Sequence, residues 1–306
     1  MACKARKKIT VTLFAFISSL AFFASCATSP RFSFDFPEGG EFAALDGGGA
    51  VYFSIDVKAA RPILDKAKFG GIRGGEISRI LDYTGSAVGA VYPQTDSSAG
   101  FLFFARGNFP VSQAGAFFNL SSLWKRVKSP AGNRYWYSRE EKLSVYLEPG
   151  LALVSNGGDP FSRTGSVLTP PALSQYRSGS CIAGWLEDAA GPMNKFFAQL
   201  AVPIQIPAER LIFAVYAAGP SSYYAVFRLE TPSPSQAKGL SAAIAMFRLF
   251  TAGTASSGNL PASQKAVLAL FANTPEVDGR DLILQTGVLD AETIALLFNM
   301  FSVYSK

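Results

Sequence analysis

Catalytic chemistry has few candidate residues in this chain of 306 residues, because histidine is absent. Without histidine there is no Ser-His-Asp or Cys-His nucleophile and no His-ligated zinc. The carboxylate pairs Glu140-Glu141 and Glu187-Asp188 fall at a predicted hairpin tip and at a predicted helix start. Both places favour solvated carboxylates, whereas general acid catalysis needs a buried one. The sequence therefore indicates a protein that is not an enzyme and that holds no cofactor and no metal.

Three other patterns are weak signals for chemistry. The glycine-rich run at 70–75 lacks the Gly-Lys-Ser/Thr ending of a phosphate loop and follows a predicted helix, so we interpret it as a helix break. Cys181 lies in an apolar run with no evident base or cation to activate its thiol, which favours a buried small side chain. The aromatic cluster at 135–137 could stack a base or a sugar, but cross-strand packing is the ordinary role of such residues.

An export signal occupies residues 1–25. A basic head at 4–8 precedes the apolar run Ile9–Phe23, and Phe23-Ala24-Ser25-Cys26 closes the segment. This segment resembles the signal of bacterial lipoproteins, in the loose form of spirochaetal ones. The resemblance implies a diacylglycerol on the Cys26 sulfur, palmitate-type acyl chains, and cleavage that leaves Cys26 first. More than one acyl chain holds a protein stably on a membrane. Plain secretion and an uncleaved membrane span are the alternatives.

The net charge of +6 comes mostly from that signal. Removing the four basic residues at positions 4–8 leaves 24 basic and 22 acidic side chains, or +2. No basic stripe is evident, so no nucleic-acid partner is expected. The hydrophobic share of 49% and the charged share of 16% indicate an apolar-rich globular body.

The sequence of the body indicates an internal duplication of one unit. Val57–Pro62 recurs as Glu187–Pro192, and later short matches follow in the same order. We predict a lipidated tether at 26–49, a first unit at 50–156, a linker at 157–178 and a second unit at 179–306. Each unit reads as strand, helix, hairpin, helix and hairpin. The predicted fold class is therefore α+β, with two pseudo-repeated units of antiparallel sheet and helices packed on them.

Two central helices carry the candidate contact residues. The first begins at Ser112 and is followed by basic residues beside Trp124, and the second begins at Ser235. Their apolar stripes fit the core or, alternatively, a membrane interface or a lipid-sized cavity. The possible membrane or ligand contacts are Phe117, Leu120, Trp124, Lys125, Arg126, Ile244, Phe247 and Phe250. Such helices in an anchored lipoprotein also resemble a spirochaetal class whose amphipathic helices insert into the outer membrane.

The functional expectation follows from the anchor and these helices. It is a non-enzymatic lipoprotein of the cell envelope whose body binds an apolar ligand or a membrane surface. The alternative is a structural or protein-interaction module with a solid core and no ligand. The expected location is the periplasmic face of the outer membrane or the cell surface. The expected partners are the membrane, reached through acyl chains on Cys26, and a lipid or another envelope protein.

Overall fold

The structure is a computed structural model that describes most of the predicted body. The signal, Cys26, most of the predicted tether and the glycine-rich run lie outside the described residues, which are 41–67, 81–93, 100–130, 132–156, 158–162, 167–199, 204–255 and 268–302.

Antiparallel strands dominate the described part of the chain. The strands are β1 Val51–Asp56, β2 Thr84–Tyr92, β3 Gly100–Gly107, β4 Trp124–Lys128, β5 Arg134–Ser138, β6 Leu143–Glu148, β7 Leu151–Ser155, β8 Ser180–Glu187, β9 Arg210–Gly219, β10 Ser222–Glu230, β11 Glu276–Asp278, β12 Asp281–Gln285 and β13 Leu289–Asp290. The main helices are α1 Val57–Leu64, α2 Val111–Leu120, α3 Leu173–Arg177, α4 Ala190–Gln199, α5 Pro234–Ala255 and α6 Ala291–Ser302. A 3₁₀ turn, Glu41–Ala44, precedes them.

All thirteen strands belong to one sheet in the order β11-β12-β10-β9-β8-β1-β2-β3-β7-β6-β5-β4, with β13 paired to β10. The predicted fold class of two strand-helix-hairpin-helix-hairpin units is therefore wrong. The prediction treated β1 and β8 as the opening strands of separate units, whereas they pair with each other. Phe53 in β1 lies opposite Gly89 of β2 and Gly184 of β8, so glycines flank it on both neighbouring strands. The result is a molecule that is mostly sheet.

Local predictions had mixed outcomes. The hairpins β5–β6 and β11–β12 are confirmed. The first central helix was predicted to reach Trp124, but α2 ends at Leu120 and Ser121 is extended. The second central helix was predicted to have Ser235 as its N-cap, but it begins at Pro234. Its cap lies two residues earlier than predicted, because Ser233 Oγ accepts a hydrogen bond from Gln236 N at 3.3 Å. Strand β4 replaces what was read as the end of the first central helix.

Helices cover one face of the sheet across its β8–β12 half. The apolar positions of α1, α4, α5 and α6 pack there against the buried side chains of β8, β9, β10 and β12. In α1, Val57, Ala60 and Ile63 recur at helical spacing, and the Asp56 carboxylate caps the helix by accepting from Ala59 N at 3.1 Å. The buried face fixes the orientation of these helices.

A second core lies on the opposite face. Trp185, which is fully buried, stacks on Tyr52 at 4.6 Å and meets the edge of Phe42 at 4.8 Å. Phe42 and Leu45 are 1% and 0% exposed, although the sequence placed them in the tether. Helix α3 adds Leu173 to the same cluster. The chain that follows the predicted anchor is thus packed against the sheet from residue 42 onward.

Candidate functional site

Positive charge without negative charge marks one stretch of the chain. Residues 97–139 contain six basic side chains and no aspartate or glutamate. Four of the six lie in the last two strands of the sheet, β4 and β5. This end of the sheet is therefore cationic. The six are Arg106, Lys125, Arg126, Lys128, Arg134 and Arg139.

Helix α2 lies on this end of the sheet and has an apolar outer surface. None of its ten residues is buried. Phe117 is 43% exposed, Leu120 is 74% exposed, and Leu123, just beyond the helix, is 48% exposed. A surface helix ordinarily turns polar side chains outward. The outward apolar side chains of α2 are therefore available to bind something outside the body.

Aromatic contacts attach α2 to the sheet. The Phe118 ring lies 4.7 Å from the Trp124 ring and 5.2 Å from the Trp136 ring, measured between centroids. Trp136 Nε1 donates a hydrogen bond to Asn119 Oδ1 at 3.0 Å. Gly115 lies beside the same ring, since a Cβ built there would be in ordinary van der Waals contact with it, at 3.6 Å. Trp136 is thus the main anchor of the helix, which agrees with the packing role expected for its aromatic cluster.

The β4–β5 pairing sorts the basic side chains between two faces. Arg126 lies opposite Trp136, and Lys128 lies opposite Arg134. Directly opposed side chains of an antiparallel pair share a face, so all four lie on the face that α2 covers. Arg126 also places its guanidinium 5.7 Å from the centre of the Trp136 ring. Lys125 alternates to the opposite face of the sheet.

The site residues predicted around the first central helix are divided by this geometry. Phe117 and Leu120 are exposed on α2. Trp124, Lys125 and Arg126 belong to a strand and not to a helix, and Lys125 is turned away from the other two. The residues that share the α2 side are therefore Phe117, Leu120, Trp124 and Arg126.

The residues predicted around the second central helix are mostly core. Ile244 is fully buried in the helix-covered core, and Phe247 is half-buried with its ring 5.7 Å from that of Phe271. The side chain of Phe250 lies outside the described residues. Met246 and Leu249, on the outer side of α5, are 58% and 78% exposed. The exposed large apolar side chains of α5 that the structure describes, Met246 and Leu249, were therefore not selected by the sequence prediction.

Two residues that the sequence raised as candidates for catalysis, Cys181 and Glu187, have packing and hydrogen-bond partners in the structure. Burial raises the pKa of the Cys181 thiol to about 11, and its Sγ lies 3.2 Å from the carbonyl oxygen of Val215. A thiol in that state is a poor nucleophile. Glu187 accepts hydrogen bonds from Trp185 Nε1 at 2.9 Å and from Arg210 Nε at 3.2 Å. Within the described ranges, no three His, Cys, Asp or Glu side chains meet where they could hold a metal ion.

Strand β4 is the element of the candidate site that sequence reasoning missed. Its sequence, Trp-Lys-Arg-Val-Lys, was attached to the preceding helix because the apolar spacing continued to Trp124. The available signal was the turn sequence Pro130-Ala-Gly-Asn133, which separates it from the aromatic strand β5. Gly132 has φ +93°, which glycine adopts readily, and the turn closes as Ser129 N donates to Asn133 O at 2.8 Å.

Comparison with known proteins identifies a shared fold. No protein-family model and no curated protein matches this sequence. Crystal form I of TP0453 has a TM-score of 0.57 and 17% identity, covering 84% of this chain and 95% of that chain. Crystal form III gives 0.56 and 17%, with 83% and 96% covered. Crystal form IV gives 0.55 and 18%, with 82% and 93% covered.

No helix of the described part of the chain combines the length and the hydrophobicity that crossing a bilayer requires.

Proposed function

We propose that this protein is a non-enzymatic, lipid-anchored protein of the cell envelope whose body contacts a membrane surface through α2 and the β4 edge. The anchor is the acylated Cys26, and the location is the periplasmic face of the outer membrane or the cell surface. The observation that carries the proposal is the outward position of Phe117 and Leu120 on a helix without buried residues. Such a surface favours membrane contact over an enclosed apolar ligand.

The composition of this surface fits a bilayer interface. Interfacial elements combine large apolar side chains with nearby Lys and Arg. Phe117 and Leu120 supply the apolar part, while Arg126 and Lys128 lie on the same side of the sheet and are exposed. Trp124, which is half-buried beside them, adds a ring of the kind enriched at membrane interfaces. The absence of acidic residues from 97–139 removes charges that anionic headgroups would repel.

The predicted tether is long enough to let anchor and body share one membrane. Fourteen residues lie between Cys26 and Glu41, and the fifteen Cα-to-Cα steps of an extended chain reach about 50 Å. Phe42 packs on Trp185 of β8, and β4 lies seven strands further along the sheet. At about 4.8 Å per strand, that separation is roughly 34 Å. The bilayer that holds the acyl chains is therefore within reach of α2.

Vesicle binding by the unacylated body tests the membrane contact. The protein would begin at Ala27, which keeps every described element. Replacing both Phe117 and Leu120 by Ser should weaken its partition to vesicles, because each apolar side chain contributes about 1–1.5 kcal/mol when a half-exposed surface enters an apolar phase. The expected loss is roughly 30- to 150-fold, measured by flotation.

Helix α5 offers a matched control. Met246 and Leu249 are similarly exposed, and replacing both by Ser removes comparable apolar surface from another helix. We expect that variant to bind vesicles as the unmodified body does. An equal loss in both variants would show nonspecific hydrophobic binding to vesicles. Unchanged binding in the α2 variant would refute the proposed surface.

The lipid anchor needs a separate test. Replacing Cys26 by Ser in the full chain removes the only atom that can carry the diacylglycerol, so membrane pelleting from cells should fall strongly. Mass spectrometry of the unmodified protein should find Cys26 at the N-terminus with its acyl chains. A different N-terminus, or an unmodified thiol, would contradict the anchor while leaving the α2 surface open to the vesicle assay.

A further inference from the structure

Like charges face each other on the edge of the sheet. Lys128 and Arg134 are directly opposed across β4 and β5. Side chains in such pairs have Cβ atoms about 5 Å apart, and equal charges at that distance destabilise the pair. Arg126 lies diagonally from Arg134 on the same face, at a typical Cβ separation of about 7–8 Å. Three cations are thus gathered on one exposed surface.

No carboxylate of the described residues forms an ion pair with any of these three cations. The nearest acidic residues in the sequence, Glu140 and Glu141, lie in the turn at the far end of β5. Glu140 lies six positions after Arg134, which is about 20 Å along an extended chain. That distance exceeds the Debye length of roughly 8 Å at physiological ionic strength. Lys128 and Arg134 therefore oppose each other without a carboxylate of the described residues in ion-pair contact with either.

We propose that Arg126, Lys128 and Arg134 form a binding site for the phosphate group of an anionic lipid headgroup. This inference rests on the proposed membrane contact and names the lipid class that it selects. Two guanidinium groups and an ammonium provide the donors that phosphate prefers. Bound phosphate would also neutralise the opposed pair. The exposed side chains Phe117 and Leu120 lie on the same side of the sheet, so acyl chains of the same lipid layer are within their reach.

The position of Arg126 favours a built site over scattered surface charge. Its guanidinium rests 5.7 Å from the centre of the Trp136 ring, and that ring is held by Asn119 and Phe118. A guanidinium on an aromatic face keeps its edge donors free for an anion. Trp136 therefore contacts both α2, which presents the apolar side chains, and Arg126, which would face the headgroup.

The experiment compares two pairs of substitutions that remove equal charge. The protein begins at Ala27 and retains every described element. Lys128→Gln with Arg134→Gln removes two charges from the proposed site. Lys125→Gln with Arg139→Gln removes two charges from the same basic segment, but Lys125 lies on the other face of the sheet and Arg139 lies in the β5–β6 turn. Binding is measured by flotation with phosphatidylcholine vesicles, with and without one-third phosphatidylglycerol.

We expect phosphatidylglycerol to strengthen binding of the unmodified body, and to do so less at high salt. For the site pair, binding to vesicles with phosphatidylglycerol should be about thirtyfold weaker than that of the unmodified body, because each charge contributes about fivefold. The control pair should lose less than a few-fold. The unfolding temperature of the site pair should be no lower than that of the unmodified body, because a repulsive contact has been removed. Weak binding by that variant would then not be due to unfolding.

Each other outcome has a distinct meaning. Equal losses in the two pairs would show that net charge alone matters, which overturns the site. Binding without any preference for phosphatidylglycerol overturns the site and leaves the membrane contact standing. No binding to either vesicle overturns both proposals. Inorganic phosphate should inhibit more than chloride at matched ionic strength, because it competes for the same donors. Equal inhibition by the two anions would show charge screening alone, which overturns the site.

Discussion

Asn119 ties α2 to the sheet, so changing it should loosen this helix before the rest of the molecule. Its Oδ1 accepts the only hydrogen bond that Trp136 Nε1 makes among the described residues. Asn119→Ser is a suitable change, because serine and asparagine have similar helix propensities and the shorter side chain cannot reach the indole. The variant therefore tests the attachment and not the intrinsic stability of the helix.

The size of the effect follows from the burial of the indole. Trp136 is only 7% exposed, so its N–H would lose its partner in a place with little access to water. An unsatisfied buried donor costs about 1–3 kcal/mol. Because α2 has no buried residue of its own, that loss falls on its local detachment. The equilibrium constant for opening of α2 should rise by roughly 5- to 150-fold.

Native-state hydrogen exchange read by mass spectrometry measures this constant directly. Peptides from α2 should exchange faster in the variant by the same factor. Peptides from α1, whose Ala60 and Ile63 are buried in the core, should be unchanged and serve as the internal control. Unchanged exchange in α2 would refute the role of the indole hydrogen bond. Faster exchange throughout the sheet would show that α2 is part of the global folding unit.

Four further substitutions test the fold. Gly184→Ala should lower the free energy of unfolding in urea by about 1–3 kcal/mol or more, because its Cβ would meet the Tyr52 carbonyl; Gly239→Ala, in open space on α5, should raise it by about 0.5–1 kcal/mol. The Cys181 thiol should resist alkylation in the folded protein, because burial raises its pKa to about 11. The free energy of unfolding that Cys181 contributes, measured against Cys181→Ala, should be fully present below about pH 9 and lost as the pH rises through 11. Asp290→Ala should lower the free energy of unfolding by about 1 kcal/mol at neutral pH, because the carboxylate caps α6 by accepting from Thr293 N at 2.7 Å. Hydrogen bonds from the backbone lower the pKa of Asp290, so the difference in stability between the two proteins should vanish as the pH falls through this lowered pKa.

Local sequence signals predicted hairpins well and the sheet poorly. The Asp-Gly turn at 278–279 and the polar tip at 139–142 fix hairpins within a few residues, so sequence alone identified them. The pairing of β1 with β8 joins residues about 130 positions apart, for example Phe53 with Gly184. No local pattern specifies such a partner, because both strands are apolar on both faces. The single sheet was therefore beyond prediction by periodicity.

The candidate site was predictable in part for a similar reason. Apolar spacing correctly placed Phe117 and Leu120 on one helix, but spacing cannot distinguish a buried side from an exposed one when neither side is charged. On α5 the same reasoning selected Ile244, which is core, and omitted Leu249, which is exposed. The opposed pair Lys128 and Arg134 depends on the β4–β5 register, which only the structure provides.

The twist of the sheet separates the two exposed helix surfaces and gives a last prediction. Nine steps of strand pairing lead from β12, beneath α5, to β5, beneath α2. At about 20° per step a sheet turns by roughly 180° over nine steps, so we expect the two helices to face about opposite directions. One flat bilayer can therefore contact one of them but not both.

Leu120→Cys and Leu249→Cys place thiols at positions that are 74% and 78% exposed, and the buried Cys181 adds little background. In the body that begins at Ala27, anionic vesicles should slow maleimide labelling at position 120 and leave labelling at position 249 unchanged. Equal protection at both positions would contradict the orientation, and protection at position 249 alone would move the membrane contact to α5.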